Sequence, residues 1–359
     1  MDIYTICKSL NLKGELKSYD VITAGNINTT YHVVTKSGKS IYEYLLQKIN
    51  RNVFRDPVNV MKNIVNVSNY IDTKSEQTEL KILKYNTADN GDPYLIDEGG
   101  NFWRAREYLD CVVFNATNNL KIIEETGAAF GEFQSLLDGF DASTLYESIP
   151  NFHNTKKRID NLEKAIAYSV SARKNNCFEE IGYILANKVI ATKLCDMLDD
   201  GDLPLRVTHN DTKCNNVIFN KKTLKALAVI DLDTIMSGLS AYDFGDGARS
   251  ICCTTEEDEV DLSKVSFDLD KFRCFTKGYL SHLKDKLFDN EIKTLGLGVY
   301  IMTLELASRF LEDYLNGDIY FKTTSIEHNL IRTRCQIALC KDIWQKMDKI
   351  NEIILEYSK

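Results

Sequence analysis

Val207-Thr-His-Asn-Asp-Thr-Lys-Cys-Asn-Asn216 and the later Ile230-Asp-Leu-Asp233 are the two stretches that decide the fold and the chemistry of this chain. The first places Asp211 five residues before Asn216, and the second ends an apolar run in Asp231. Phosphoryl transfer from ATP needs one carboxylate to orient and deprotonate an acceptor hydroxyl. It also needs an amide and a second carboxylate to hold Mg²⁺ against the phosphates. The two stretches contain all three groups.

The residues between these stretches predict how they come together. Leu205–Thr208 is β-prone, and the apolar runs 217–219 and 226–230 are joined by a short polar turn, which is typical of a hairpin. Such a hairpin returns Asp231 towards the loop 209–216. We therefore expect Asp211, Asn216 and Asp231 to be neighbours.

Each side chain of the loop has an expected role. Asp211 is the candidate base, and Lys213 offers an ammonium group to the transferred phosphoryl group. Asn216 and Asp231 offer oxygen ligands to Mg²⁺, the ligand type that this cation prefers. Asp233 shares a strand face with Asp231, so it is a further candidate metal ligand.

Two other residues are expected to support the loop without touching substrate. His209 stands just before the loop and Asp243 lies in the later Tyr242-Asp-Phe-Gly-Asp246, and both are expected to hold the loop backbone. Taken singly, every polar residue named so far also fits an ordinary turn or strand end. The combination of Asp-x₄-Asn, a hairpin and an apolar run ending in Asp favours the catalytic interpretation.

Bulk properties limit the class of partner. The chain has 359 residues, a formal net charge of −8 and a pI of about 5.3, which argues against nucleic acid or an anionic membrane as the main partner. Its ten cysteines form no Cys-x-x-Cys pair, so we expect reduced thiols and a cytoplasmic location. Oligomeric state cannot be read from these properties.

The periodicity predicts an α+β chain. A small antiparallel sheet with one helix is expected first, followed by a larger, mainly helical part that contains the hairpin. Strands are predicted at 31–35, 41–49, 80–85, 93–96 and 102–108, with a helix starting at Pro57. Later helices are predicted at 121–137, 156–172, 179–198, about 264–284, 290–315 and 328–357.

The motifs His209-x-Asp211-x₄-Asn216 and Ile230-Asp231 resemble those of the aminoglycoside phosphotransferase and choline kinase superfamily. That resemblance implies a bilobal protein-kinase-like fold, with a nucleotide-binding lobe at residues 1–106 and a helical lobe at 107–359. A more specific similarity is to bacterial N-acetylhexosamine 1-kinases. It covers nearly the whole chain through the blocks 27–31, 205–213, 229–236, 242–246, 261–265, 309–321 and 327–334.

The resemblance implies ATP-dependent, Mg²⁺-dependent phosphorylation of N-acetylglucosamine or N-acetylgalactosamine at the anomeric hydroxyl, with Asp211 as the base. The implied nucleotide-binding residues are Gly25, Asn28, Thr29, Thr30, Gln47, Glu107 and Leu109. The implied sugar contacts, besides Asp211, are Arg309, Tyr320, Asn26, Glu305 and Asp313. The only expected partner is thus a small sugar substrate.

The chain also departs from the protein-kinase pattern. The phosphate-covering loop has a single glycine, Gly25, and Gln47 stands where protein kinases place the strand lysine. The helix after Pro57 carries no glutamate through Tyr70, so the usual lysine–glutamate ion pair is not expected. Two alternatives stay open: a kinase for choline, homoserine or an aminoglycoside, and an inactive nucleotide-binding interaction protein.

Overall fold

The computed structural model describes residues 1–23, 27–169 and 171–359. Up to residue 112 the elements are α1 (Ile3–Ser9), β1 (Glu15–Ile22), β2 (Thr29–Ser37), β3 (Ser40–Lys48), α2 (Pro57–Asp72), β4 (Leu95–Ile96) and β5 (Phe102–Glu107). From residue 113 they are α3 (Leu120–Leu136), α4 (Thr155–Tyr168), α5 (Ser171–Asn175), α6 (Phe178–Ala186), α7 (Lys188–Ala191), α8 (Lys193–Asp199), β6 (Arg206–Thr208), β7 (Val217–Phe219), β8 (Ala226–Val229), β9 (Met236–Gly238), α9 (Ser240–Cys252), α10 (Leu269–Leu280), α11 (Asp289–Asn316), α12 (His328–Gln345) and α13 (Met347–Tyr357).

The chain divides into two compact units. Unit 1 comprises residues 1–112, 144–150 and 218–236, and unit 2 comprises 113–143, 151–217 and 237–359. Unit 1 holds a sheet of strand order β1-β2-β3-β5-β4 whose neighbours are all antiparallel. Unit 2 is mainly helical. The prediction of an α+β chain with an antiparallel sheet followed by a helical part is confirmed.

The sheet of unit 1 has two differently filled faces. On one face Tyr44, Leu46 and Ala105 join a buried apolar cluster with α1. Alternation along the strands turns Gln47 and its cross-strand partner Arg104 to the opposite face, where Arg104 meets Met61 of α2. Polar groups of the sheet are therefore collected on the α2 side.

Strand prediction in unit 1 was partly wrong. Residues 80–85 form no strand, and only Tyr85 makes an isolated bridge, to Arg106 of β5. β1 was not predicted, because six of its eight residues are exposed and none is buried. A strand without an apolar face gives no period-two signal.

Unit 2 is built around α11, which packs against α4, α9, α12 and α13. Gly245 of α9 and Gly298 of α11 allow these two helices to approach closely, since a Cβ at Gly245 would lie 2.4 Å from the Gly298 carbonyl oxygen. By length and hydropathy α11 passes the test for a membrane-crossing helix. However, 89% of its most apolar 18-residue stretch is buried within the protein, so α11 is packed as a core helix.

Helix prediction in unit 2 was confirmed for α3 and α11, and also for α4 and α10, which end earlier than predicted, at Tyr168 and Leu280. The stretch 179–198 is divided into α6, α7 and α8, and the stretch 328–357 is divided at Lys346 into α12 and α13. The helix α9 was not predicted at all. All ten cysteines are free thiols, as expected.

Candidate active site

Three of the predicted residues meet in the loop between β6 and β7, within unit 2. The Asn216 amide nitrogen donates to Asp211 Oδ2 (2.9 Å) and to the Asp211 backbone oxygen (2.7 Å). Lys213 Nζ lies 3.0 Å from Asp211 Oδ1. The negative charge of Asp211 is the main cause that raises the pKa of Lys213. The side chain of Asp211 keeps 31% of its surface exposed, so it stays open to an acceptor.

A buried carboxylate holds the start of this loop. Asp243 of α9 accepts from the backbone N–H groups of His209 and Asn210, both at 2.8 Å, and from the Gln134 amide at 2.7 Å. Burial raises the pKa of Asp243, although these donors favour its charged form. Asn210 adopts the left-handed conformation (φ 64°), which presents the following Asp211. The expectation that Asp243 holds the loop is confirmed.

His209 also supports the loop. Its Nδ1 accepts from the Asp211 backbone N–H at 3.3 Å, and its ring stands edge-on to Phe130 (5.5 Å) and Phe133 (6.2 Å). The ring is fully buried. His209 thus braces the loop, as predicted.

A second buried carboxylate holds the middle of the loop. Asp246 accepts from the Thr212 backbone N–H (2.9 Å) and from Arg249 Nη2 (2.6 Å). Burial opposes the charge on Asp246, but Arg249 and Lys213 outweigh it and lower the pKa of Asp246. Asp243 and Asp246 stand one turn apart on α9. The same helix therefore holds the backbone of the loop at His209 and Asn210 and again at Thr212.

Asp231 and Asp233 lie in unit 1 and differ sharply in environment. Asp231 is exposed and adopts the left-handed conformation (φ 61°, ψ 52°). Asp233 is only 2% exposed and accepts from Arg104 Nη1 (2.5 Å) and Nη2 (3.0 Å) and from the Asn28 amide (2.8 Å). A non-glycine residue held at positive φ is frequent at functional sites. Both oxygens of Asp233, by contrast, are already engaged.

Several predicted nucleotide-binding residues belong to the same network. Gln47 Nε2 donates to Thr30 Oγ1 (3.3 Å), and Gln47 Oε1 accepts from Arg104 Nε (2.9 Å). Asn28 Oδ1 accepts from the Asn50 backbone N–H at 3.0 Å. Arg104 is the residue that the sequence did not point to, because its partner Asp233 is 129 positions away along the chain.

The other predicted nucleotide-binding residues have simpler surroundings. Thr29 begins β2 and is exposed, Glu107 ends β5, and Leu109 is buried two residues later. Gly25 and Asn26 lie outside the described residues.

Two of the predicted sugar contacts lie on one face of α11, within unit 2. The Glu305 side chain is 1% exposed and lies 3.1 Å from His153 Nδ1 and 3.8 Å from Arg309 Nη1. Burial on its own would raise the pKa of Glu305, but His153, Arg309 and Arg158 lower it below its usual value. His153, which the sequence did not single out, also places Nε2 at 3.4 Å from the Asn210 carbonyl oxygen.

Asp313 and Tyr320 are connected through the backbone of the next loop. Asp313 accepts from the backbone N–H groups of Ile319 (2.9 Å), Tyr320 (2.8 Å) and Phe321 (3.0 Å). It also accepts from the Asn329 amide at 2.8 Å. Asp313 is 5% exposed, so its carboxylate holds this segment from the protein interior. Tyr320, which is 59% exposed, lies at the surface.

Aromatic rings surround the Arg309 guanidinium. Its central carbon lies 5.0 Å from the ring centre of Phe152, 5.8 Å from that of Tyr320 and 5.6 Å from that of Phe321. These distances are those of cation–π contacts. Arg309, Tyr320 and Glu305 are therefore brought together, and Asp313 contributes through the backbone.

The donor types suit Mg²⁺. The Asn216 amide nitrogen faces Asp211, so the amide oxygen is turned away from that carboxylate, and the Asp231 carboxylate is exposed. A hard cation prefers such oxygen ligands. No cluster of three or more His, Cys, Asp or Glu side chains with metal-binding geometry occurs among the described residues. Asn216 and Asp231 thus remain the predicted ligands.

Comparison with known proteins gives a consistent family. The model of the phosphotransferase enzyme family matches residues 18–272. A microcompartment-associated aminopropanol kinase is similar in structure (TM-score 0.61, 12% identity, 97% of each chain). Choline kinase from Cryptosporidium parvum Iowa II is also similar (TM-score 0.59, 14% identity, 97% of this chain and 96% of that chain). So is a spectinomycin phosphotransferase in complex with ADP and spectinomycin (TM-score 0.55, 12% identity, 94% of each chain). The fold is the protein-kinase-like fold of these phosphotransferases.

Proposed function

This chain belongs to the phosphotransferase enzyme family, and from that premise we propose that it transfers the γ-phosphoryl group of ATP to the anomeric hydroxyl of an N-acetylhexosamine. The observation that carries the proposal is the Asp211 carboxylate, held by the Asn216 amide and flanked by Lys213 in a loop that two buried carboxylates fix. That arrangement is suited to accepting a proton from a bound hydroxyl group.

Asp211 would orient the acceptor hydroxyl and take its proton as the new O–P bond forms and the bond from the γ-phosphorus to the β,γ-bridging oxygen breaks, which releases ADP. Lys213, already beside Asp211, would offset the charge on the oxygens of the transferred group. Bound Mg²⁺ would neutralise phosphate charge, and Asn216 and Asp231 are the residues that would hold it. Nucleotide use is supported by the similar spectinomycin phosphotransferase, whose structure contains ADP.

The proposed acceptor site is the group formed by Arg309, Tyr320 and Glu305. It offers a guanidinium, an exposed aromatic ring and a buried carboxylate, a combination that suits the hydroxyl and amide groups of a sugar. His153 connects this group to the carbonyl before Asp211. The resemblance of residues 309–321 to N-acetylhexosamine 1-kinases supports this class of substrate.

The first alternative is a kinase for choline or a related amine. Recognition of a quaternary ammonium group needs aromatic faces that are open to it. The rings of Phe152, Tyr320 and Phe321 already face the Arg309 guanidinium, a cation of the protein itself. This contact favours a sugar over a quaternary amine at that place.

The second alternative is an inactive nucleotide-binding protein. It would not require Asp211, Lys213 and Asn216 in contact, so their arrangement favours catalysis.

The proposal is tested by incubating the purified protein with ATP, Mg²⁺ and a panel of acceptors. The panel contains N-acetylglucosamine, N-acetylgalactosamine, glucosamine, choline, homoserine and an aminoglycoside, and ³¹P NMR identifies the product. We expect an α-anomeric phosphate from at least one N-acetylhexosamine. Phosphorylation of another acceptor alone would replace the sugar proposal, and ATP binding that Asp211→Ala leaves unchanged, without turnover, would favour the inactive alternative.

A further inference from the structure

Arg104 is a deeply buried cation of unit 1 with several polar partners. It is 2% exposed, and its guanidinium makes a two-point contact with Asp233, with Nη1 at 2.5 Å and Nη2 at 3.0 Å. Its Nε donates to Gln47 Oε1 (2.9 Å), and its Cζ lies 5.2 Å from the ring centre of Tyr85. A lysine cannot reproduce this set of contacts, because only the guanidinium fork reaches both partners in a fixed geometry.

Arg104 supplies a buried cation in a chain that lacks the lysine–glutamate pair of protein kinases. Protein kinases set the nucleotide site with a lysine on the third strand and a glutamate on the helix. Here the third strand carries Gln47, and Arg104 is its direct cross-strand partner on β5. The anion comes from Asp233 instead of α2. Unit 1 thus contains a buried cation–anion pair, but its residues stand on β5 and after β8 instead of on the third strand and the helix.

The pair also reaches the segments that are expected to meet the nucleotide. Asp233 accepts from Asn28, which directly precedes β2, and Gln47 donates to Thr30, the second residue of β2. The network therefore holds the start of β2 at two points. Two residues before Asp233 stands Asp231, whose left-handed backbone is held between the end of β8 and the buried Asp233.

We propose that Arg104 is the positioning residue of the nucleotide site: by fixing Asp233 it sets the backbone that presents Asp231, and through Gln47 and Asp233 it sets Thr30 and Asn28. On this view Asp233 is not a metal ligand, because its carboxylate is used to hold Asp231 in place. The inference rests on the proposed function, since it assigns the means by which that function's Mg²⁺–nucleotide complex is held.

The test compares nucleotide affinity with and without metal. Isothermal titration calorimetry gives the dissociation constant of ADP in Mg²⁺ and in EDTA. The value in EDTA divided by the value in Mg²⁺ measures how much the metal strengthens binding, and we call it the ratio. Residues that orient a metal ligand from behind typically contribute about 10–100-fold to metal affinity. We therefore expect Arg104→Lys to reduce the ratio by about 10–100-fold. ADP affinity in EDTA, which depends on Thr30 and Asn28 but not on the metal, should fall by a smaller factor than ADP affinity in Mg²⁺.

Arg206→Lys is the matched control. Arg206, in unit 2, makes a similar two-point pair with Glu291 (3.1 and 2.8 Å), so this variant loses comparable contacts and should keep the ratio unchanged. A double variant, Arg104→Met with Asp233→Leu, separates stability from positioning. Apolar groups often restore the stability lost when a buried pair is removed. The melting temperature should then recover while the ratio stays low.

The outcomes are distinct. An unchanged ratio in Arg104→Lys, an equal loss of affinity in EDTA, or a double variant that regains the full ratio overturns the positioning role. If Arg104→Lys does not fold, the double variant decides the question by the same ratio. An unaltered protein that binds no ADP in either condition overturns the proposed function itself.

Discussion

Replacement of Asp211 by Asn is the most informative perturbation of the proposed mechanism. The change keeps the size of the side chain and removes its charge and its basicity. Asparagine can still accept from the Asn216 amide, which lies 2.9 Å from Oδ2 in the unaltered protein. The ion pair with Lys213, at 3.0 Å, is lost.

The expected cost to stability is small. The side chains of Asp211 and Lys213 are 31% and 40% exposed, so solvent screens their attraction. Pairs of this kind contribute at most about 1 kcal/mol, and we expect the free energy of unfolding to fall by no more than that.

The expected cost to catalysis is much larger. A positioned general base typically contributes about 10²–10⁴-fold to the rate, or roughly 3–5 kcal/mol of activation free energy. We expect kcat to fall within that range while the dissociation constant of ADP stays nearly constant, because Asp211 acts on the acceptor.

The assay combines steady-state kinetics with ADP titration and denaturant unfolding. Asp196→Asn is the control, because Asp196 pairs with Lys156 at 2.7 Å and both side chains are about two-fifths exposed. That variant loses a comparable ion pair and should keep its kcat. A fall in kcat of less than about tenfold in Asp211→Asn, well below the usual contribution of a base, would refute the assignment. So would an equal loss of ADP affinity.

Three further predictions concern the proposed acceptor site. Asp313→Ala removes the acceptor of three backbone N–H groups and should destabilise the protein by about 3 kcal/mol, measured by urea unfolding, with a higher KM for the sugar and an unchanged KM for ATP. Arg309→Gln should raise the sugar KM at least about tenfold, equal to the roughly 1.4 kcal/mol of one charge-assisted hydrogen bond, and an unchanged KM would exclude Arg309 from the acceptor site. Glu305 has a pKa below its ordinary 4.5 in the folded protein, so the stability that it contributes is present above pH 4.5 and is lost as the pH falls through the lower folded value. Glu305→Gln should flatten this part of the acid unfolding profile, and a profile of unchanged slope would contradict the linkage.

The loop around Asp211 could be predicted from sequence because its information is local. Asp211, Lys213 and Asn216 lie within six positions, and their contacts follow from a single tight loop. The support from Asp243 was also predicted, and Asp243 accepts from the backbone N–H groups of His209 and Asn210. The same reasoning gave β5 and α3, whose apolar residues show the expected spacing.

The helix α9 was missed for a physical reason. Twelve of its thirteen residues are buried, and several of these are polar or charged, so the usual link between polar residues and an exposed helix face does not hold here. Its glycines lower helix propensity, yet Gly245 is needed where α9 meets Gly298 of α11. Packing against α11 therefore overrides a local preference that argues against a helix.

The Arg104 network was missed for a different reason. Each of its members is an ordinary polar residue at the end or edge of an element, and the bond between Arg104 and Asp233 joins positions 129 apart. Sequence spacing placed Asp233 with Asp231 as a metal ligand, because it could not show that a buried cation takes up both of its oxygens. The predicted absence of a strand lysine did not reveal where the compensating charge lies.

The most direct test of the central claim is the ³¹P spectrum of the product formed from ATP, Mg²⁺ and N-acetylglucosamine or N-acetylgalactosamine. The proposal predicts a new phosphomonoester signal coupled to the anomeric proton, present with the unaltered protein and nearly absent with Asp211→Asn. A signal from a phosphate at any other hydroxyl, or none from either sugar while another acceptor is phosphorylated, would contradict it.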